Sequence, residues 1–265
     1  MRSILVQAGR GDDGRFRVET ALSLARMTGG HVSLLVDTPV ARYTAADSMG
    51  GSMLAVDAMR EALADDDAYA ASIKDHMSRE DVACDVLRSE AEAGAALAET
   101  GRLADIIIVS RADAVATDLP LSVRAPVLAL NEAGGLDFPL ESVAIAWDGS
   151  SPASYALRCS LPLLAGCPSV TVLTVAGRGE TNDLANWPAT DAAAYLSRHG
   201  ISAELKVLER QGGVEETLAH EFAVSRPSLV VIGAFGHSRL REFLFGGVTN
   251  TLLSLEGGPP LLLAH

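Results

Sequence analysis

The chain has 265 residues, 48% of them hydrophobic and 21% charged, which allows a sizeable buried core and excludes a disordered class of protein. Its net charge of -13 and its pI near 4.8 argue against a partner that presents a phosphate backbone, such as DNA or RNA. That charge does not exclude one small nucleotide held by backbone amides.

Cysteine usage and hydropathy indicate the compartment. The three cysteines, Cys84, Cys159 and Cys167, have no CxxC spacing, as expected for buried thiols in a reducing cytoplasm, and we expect no metal site. The N-terminal MRSILVQAGR runs straight into a strand-like segment without the apolar stretch of a signal peptide. No apolar run approaches the roughly 18 residues of a membrane helix. We therefore expect a cytoplasmic protein with no membrane partner.

The first half alternates short apolar runs with segments of helical periodicity. Strands are predicted at SILVQAG, HVSLLVD, VACDVLRSE, ADIIIVS and APVLALN, and helices at FRVETALSLARMTGG, DDAYAASIKDHMSRE and AGAALAETGRL. An extra stretch, residues 39–61, is Gly, Ser and Met-rich in its early part and is interpreted as a loop, either a lid or a plain insertion.

The second half repeats the same order. SVAIAWD, SVTVLTV, ISAELKVLER, PSLVVIG and PPLLLAH are the predicted strands, separated by the helices ASYALRCSLPLLAG, TDAAAYLSRHG and GVEETLAHEFAV. This alternation predicts an α/β fold of two tandem doubly wound, Rossmann-like domains, each with a five-stranded parallel sheet. We place them at residues 1–133 and 140–265, joined by the linker Asn131–Ser142. Pairing of the two final strands would hide both edges and make a pseudo-dimer; a further homodimer is left open.

A constellation of glycines follows the strand PSLVVIG. In doubly wound folds ligands bind at the carboxyl ends of strands, where the strand order reverses. Glycines let a backbone approach an anion, and a helix N-terminus such as that of VTNTLLSLE attracts phosphate. The segment carries glycines, a hydroxyl and cationic side chains: Gly233, Gly236, His237, Arg239, Gly246, Gly247 and Thr249.

Asp148 ends the strand SVAIAWD and would reach the same crevice, where a carboxylate can accept hydrogen bonds from a base amino group or a ribose hydroxyl. Val175 could supply an apolar wall. The plainer alternatives stay open: Asp148-Gly149-Ser150 can be a turn or helix cap, His237 a solvated loop residue, and Phe235 a packing residue.

These residues resemble the signature of the universal stress protein family, Gly-x2-Gly-x9-Gly-Ser/Thr followed by Val and a hydroxyl residue. Gly233, Gly236 and Gly246 match it, Val248 and Thr249 follow, and VAIAWDGSSPASYAL is similar to the family's first-strand motif. The resemblance is specific for the second half and architectural for the first. It implies the universal stress fold, a stress-response or signalling role, and ATP or AMP as ligand, with Mg²⁺ left open.

Carried over by residue, the resemblance implies two groups of nucleotide contacts. Those near adenine and ribose are Ala146, Asp148 and Val175. Those along the loop and at the phosphates are Ile232, Gly233, Phe235, Gly236, Gly246, Gly247, Val248 and Thr249.

Two departures from the family pattern matter. Gly247 stands where the family has Ser or Thr, so a hydroxyl hydrogen bond worth roughly 1.5–3 kcal/mol would be lost, weakening affinity about tenfold or more. In the first half, Gly9 or its neighbours stand at the aspartate position, and too few residues follow IIIVS for a glycine loop. One nucleotide per chain is therefore expected. Two alternatives remain, an interaction or scaffold protein of the same fold without nucleotide, and a weak ATP hydrolase with at most slow turnover.

Overall fold

The computed structural model of the protein describes residues 1–41, 52–132, 134–176, 188–235 and 247–265. The strands are β1 Ser3–Gln7, β2 His31–Asp37, β3 Ala83–Ser89, β4 Ile106–Ser110, β5 Val127–Leu130, β6 Ser142–Ala146, β7 Ser169–Val175, β8 Glu204–Leu208, β9 Leu229–Gly233 and β10 Leu261–Ala264. The helices are α1 Asp12–Thr28, α2 Ser52–Met77, α3 Ala93–Thr100, α4 Val115–Ser122, α5 Ser151–Ser160, α6 Ala189–Arg198, α7 Val214–Ser225 and α8 Gly247–Ser254.

The strands form one ten-stranded sheet in the order β3-β2-β1-β4-β5-β10-β9-β6-β7-β8. Neighbours within each half are parallel, as right-handed crossovers through helices require. The two final strands, β5 and β10, pair antiparallel with Leu262 opposite Leu128. The predicted fold class is confirmed, and the two final strands pair with each other as expected.

Both faces of the sheet are covered, which explains why the inner strands read as continuous apolar runs rather than alternating ones. In β4 every residue is buried. Ile106 and Ile108 pack into the cluster on one face of the sheet, and Ile107 and Val109 into the cluster on the other. A single run such as IIIVS thus supplies both cores.

The segment between the halves is packed rather than extended. The backbone N–H of Leu136 donates to Thr20 Oγ1 of α1 at 2.8 Å, and that of Phe138 donates to Ser23 Oγ at 2.9 Å. Leu140 is buried. The predicted linker therefore lies along the first half, and the domain limits remain a prediction.

The largest difference from the sequence prediction is the extent of α2. We expected a helix from Asp66, but α2 begins at Ser52 and takes in the end of the predicted insertion. Residues 52–66 are rich in Ala, Leu and Met, which have high helix propensity. The early part of the insertion, residues 42–51, lies outside the described residues. Within the described part of the chain, no helix is long and apolar enough to cross a bilayer.

Candidate functional site

The strand order reverses in the second half between β6 and β9. From β6 the chain proceeds outward through β7 and β8, and it returns through β9, which pairs with the other edge of β6. Ala146 at the end of β6 lies opposite Ile232 in β9 and Leu173 in β7. The loops after β6 and β9 therefore diverge and open a crevice at the carboxyl ends of the strands, where open α/β sheets bind ligands.

The loop after β6 makes a tight turn and caps the N-terminus of α5. Asp148 Oδ1 accepts a hydrogen bond from the Ser150 N–H at 2.9 Å, and Gly149 has a positive φ of 79° that fits the tight turn. Ser150 is the N-cap of α5, and its Oγ accepts a hydrogen bond from the Ala153 N–H at 3.2 Å. The residues Asp148-Gly149-Ser150 thus form a turn and a helix cap, one of the alternatives left open by the sequence. The Asp148 side chain is still exposed at this edge of the sheet.

Gly233, the last residue of β9, is required by packing. A Cβ built on it would lie 2.6 Å from the carbonyl carbon of Pro152 and 2.8 Å from the Cα of Ala153, closer than real Cβ atoms come to backbone. The first turn of α5 therefore rests directly on the end of β9. This helix–strand contact is by itself a reason for glycine at position 233, and the approach of an anion to Gly233 stays a prediction.

The chain after β9 turns toward α8. The Ala234 N–H donates to Ala264 O at 2.8 Å, which extends the β9–β10 pairing by one bond. Phe235 is buried among apolar residues and has a positive φ of 57°. Its N–H points to Thr249 Oγ1 at 3.5 Å, a long hydrogen bond that joins the strand end to the first turn of α8. The buried hydroxyl of Thr249 is therefore engaged with the protein backbone.

Among the described residues, no side chain caps the N-terminus of α8. Gly247 is its first residue and is exposed, and a Cβ built there would have no described atom within 4 Å. The first amides of a helix have no intrahelical partner and carry partial positive charge. Because no side chain of residue 247 covers them, this helix end fits a phosphate group better than a closed cap would.

The structure thus brings together part of the predicted site. At the crevice lie Ala146, Asp148, Ile232, Gly233, Phe235, Gly247, Val248 and Thr249, and Val175 ends the neighbouring strand β7 half-buried. Ala146, Ile232 and Phe235 are buried in the core beneath the crevice. Gly236, His237, Arg239 and Gly246 lie outside the described residues. Among the described residues, no group of three His, Cys, Asp or Glu is placed to hold a metal ion.

In the first half, the turn at the equivalent switch point between β1 and β4 is held by side chains of the first half itself. Gly9 follows β1 at the place that Asp148 takes after β6. The buried Arg17 donates from Nε to Gln7 O at 2.9 Å and from a terminal nitrogen to Asp13 Oδ2 at 2.7 Å. Tyr69 Oη donates to Gly9 O at 2.7 Å.

This first-half turn contains a glycine spacing that the sequence prediction did not use. Gly9, Gly11 and Gly14 follow β1 and open α1 with the GxGxxG spacing typical of dinucleotide turns. A Cβ on Gly14 would lie 2.9 Å from the Cα of Gly9, so the spacing allows close packing of α1 on the turn. Asp12 and Asp13 lie in the first turn of α1, where carboxylates are favoured by the helix dipole. The protein's own negative charge thus lies at this helix N-terminus, where a phosphate would have to bind.

Comparisons with known proteins agree with this architecture. A universal stress protein from Archaeoglobus fulgidus aligns over 98% of this chain and 97% of its own, at 11% identity and a TM-score of 0.68. The chain has the universal stress protein fold. A protein of unknown function from Pseudomonas aeruginosa aligns with this fold over 100% of the chain and 92% of its own, at 15% identity and a TM-score of 0.61.

A universal stress family protein from Arabidopsis thaliana, solved with AMP bound, aligns over 47% of this chain and 90% of its own, at 14% identity and a TM-score of 0.31. No family model matches the sequence, and no curated protein matches it significantly.

Proposed function

We propose that this protein is a tandem universal stress protein that binds one adenine nucleotide, ATP or AMP, in its C-terminal half. The observation that carries the proposal is the arrangement at the β6–β9 switch point. There the exposed Asp148 follows one strand, and the N-terminus of α8 lies close to the end of the other.

The two ends of this crevice have complementary chemistry. The first amides of a helix such as α8 favour phosphate, and a carboxylate favours hydroxyl or amino donors of a nucleoside. A nucleotide that placed its phosphates at Gly247 and its ribose toward Asp148 would satisfy both ends. Residues 236–246 between β9 and α8 carry the rest of the glycine signature in sequence, and their contribution is part of the proposal.

The first half supports a single site. Its switch point holds Gly9 in place of the aspartate, and two carboxylates, Asp12 and Asp13, lie in the first turn of the helix that follows. We therefore expect a stress-response or signalling protein whose second half senses the nucleotide. Slow ATP hydrolysis remains a prediction, which a metal-dependent rate abolished by Asp148→Ala would support.

The test is mass spectrometry of small molecules released by denaturing the purified protein. We expect adenine nucleotide from the wild type and markedly less from Asp148→Asn prepared in parallel. Equal amounts from both would contradict the assignment of this crevice.

A second candidate is an interaction module without nucleotide. The contact between Gly233 and α5 favours it, because one glycine of the signature serves the fold whether or not a ligand binds. That candidate predicts no carried nucleotide and no effect of Asp148→Asn on any ligand titration.

A further inference from the structure

We propose that Arg111, a residue of the first half, fixes α8 of the second half in place and thereby makes nucleotide binding there depend on the first half. The dependence of nucleotide binding on the first half rests on the proposed function. The positioning of α8 rests on the contacts of Arg111 alone.

Arg111 is a buried guanidinium that crosses the junction. It follows β4 directly, and its side chain is 8% exposed. Nε donates to Leu253 O at 2.8 Å, and one terminal nitrogen donates to Leu255 O at 2.8 Å and also to Leu252 O. The other terminal nitrogen donates to Pro259 O at 2.9 Å and to Asn131 Oδ1 at 3.1 Å. All five N–H donors of the guanidinium are thus used.

Most of these acceptors belong to the C-terminal end of α8. Leu252 and Leu253 lie in its last turn and Leu255 follows it, so their carbonyls are among those that a helix end leaves unpaired and partially negative. Arg111 therefore caps α8 from a distant part of the chain. Within the described residues Arg111 forms no salt bridge. The carbonyl dipoles are therefore the main groups that offset the cost of burying its positive charge. Burial lowers the pKa of the guanidinium.

The surrounding residues are shaped for this contact. A Cβ on Gly258 would lie 2.7 Å from a terminal nitrogen of Arg111. A larger residue at position 258 would therefore clash with the guanidinium. Asn131, which follows β5, also donates from Nδ2 to Gly258 O at 2.8 Å. Two residues at strand ends of the first half therefore hold the turn between α8 and β10.

The two halves differ at the position that Arg111 takes after β4. Ala234 follows β9 as Arg111 follows β4, so it takes the equivalent place in the second half. An alanine side chain donates no hydrogen bond, and α4, the counterpart of α8, receives no such cap from it. The buried arginine thus serves only the helix whose N-terminus lies at the candidate site.

The contacts of Arg111 with the C-terminal end of α8 are separated from the N-terminus of α8 only by the length of this short helix. α8 has 8 residues, about 12 Å at 1.5 Å per residue, and a helix this short is marginal without tertiary contacts. Loss of the C-terminal contacts would therefore let the amides at Gly247 move. Arg111 is a positioning residue, because it acts on the site through the helix.

The test compares Arg111→Met and Arg111→Lys with Arg17→Met in the full-length protein. Arg17 is the matched control, since it is equally buried but bonded only within the first half. The rate of amide hydrogen exchange in residues 247–254 without ligand measures how firmly α8 is held. Calorimetric titration with ATP and Mg²⁺ measures the affinity of the candidate site. Thermal melts confirm that each variant is folded.

We expect Arg111→Met to speed exchange in α8 and weaken ATP binding by about tenfold, within the usual range of coupling between sites. Arg111→Lys should lie between Met and wild type, and Arg17→Met should leave both readouts near wild type. Exchange in α8 that is equal in Arg111→Met and Arg17→Met would overturn the proposal, as would equal ATP affinities. If the wild type binds no nucleotide, the proposed function and the dependence on it fail together, and the exchange comparison alone decides whether Arg111 positions α8.

Discussion

Gly233 and Ala153 are in backbone contact: a Cβ built on Gly233 would lie 2.8 Å from the Ala153 Cα, with Pro152 closer still. The end of β9 and the start of α5 are therefore held at a distance that only glycine permits. This contact fixes the two loops of the candidate site relative to each other.

Gly233→Ala should destabilise the protein by about 1–3 kcal/mol, the usual cost of forcing an extra methyl group into packed structure. Chemical denaturation monitored by circular dichroism would measure it. Gly247→Ala is the matched control, because a Cβ there meets no described atom within 4 Å, and its change in stability should stay below about 1 kcal/mol. Equal stabilities of the two variants would refute the account of Gly233.

Gly247→Ser should raise ATP affinity about tenfold, because a hydroxyl at the start of α8 can donate a hydrogen bond to a charged phosphate. Titration calorimetry with Mg²⁺ would measure it. Gly247→Ala separates this effect from any gain in helix stability, since it adds the methyl group without the hydroxyl. If serine and alanine behave alike, the phosphates do not bind at this helix end.

Asp148→Asn should weaken nucleotide binding about tenfold or more, because it removes the charge while its side-chain oxygen can still accept from the Ser150 N–H. The control is Ser150→Ala, which should cost about 0.5–2 kcal/mol of stability through the lost helix cap. It should leave affinity near wild type. The reverse pattern would mean that the loop after β6 serves the fold alone.

Acid should weaken the first half through Asp13. The hydrogen bond from Arg17 holds the pKa of this carboxyl below its ordinary value. A carboxyl with a lowered folded-state pKa contributes stability above its unfolded pKa of about 3.9, and that contribution is lost as pH falls through the folded value. Asp13→Asn should therefore show a smaller loss of stability than wild type between pH 7 and about pH 3, measured by urea denaturation. If Asp13→Asn loses as much stability as wild type over this pH range, the account of the Asp13–Arg17 pair is wrong.

The sequence predicted the fold because the signals for it are local. Apolar runs such as ADIIIVS and PSLVVIG indicate buried parallel strands, and their repetition in both halves predicts two doubly wound domains. The start of α2 was wrong because the residues from Ser52 onward were interpreted as part of an insertion, despite their helix propensity.

The site was predictable only in part. Asp148 and Gly233 lie at neighbouring strand ends as the topology requires, but the contact of Gly233 with α5 depends on the distance between two elements far apart in sequence. Arg111 carries no motif, and its helical acceptors lie in the other half of the chain. Such a residue is visible only once the fold brings the two halves together.

We expect the protein to bind one adenine nucleotide in its second half and none in its first. Calorimetric titration of the wild-type protein with ATP and Mg²⁺, after removal of any carried nucleotide, tests it most directly. We predict a stoichiometry of one per chain with micromolar affinity. Two equivalents bound, or no binding at all, would contradict the account.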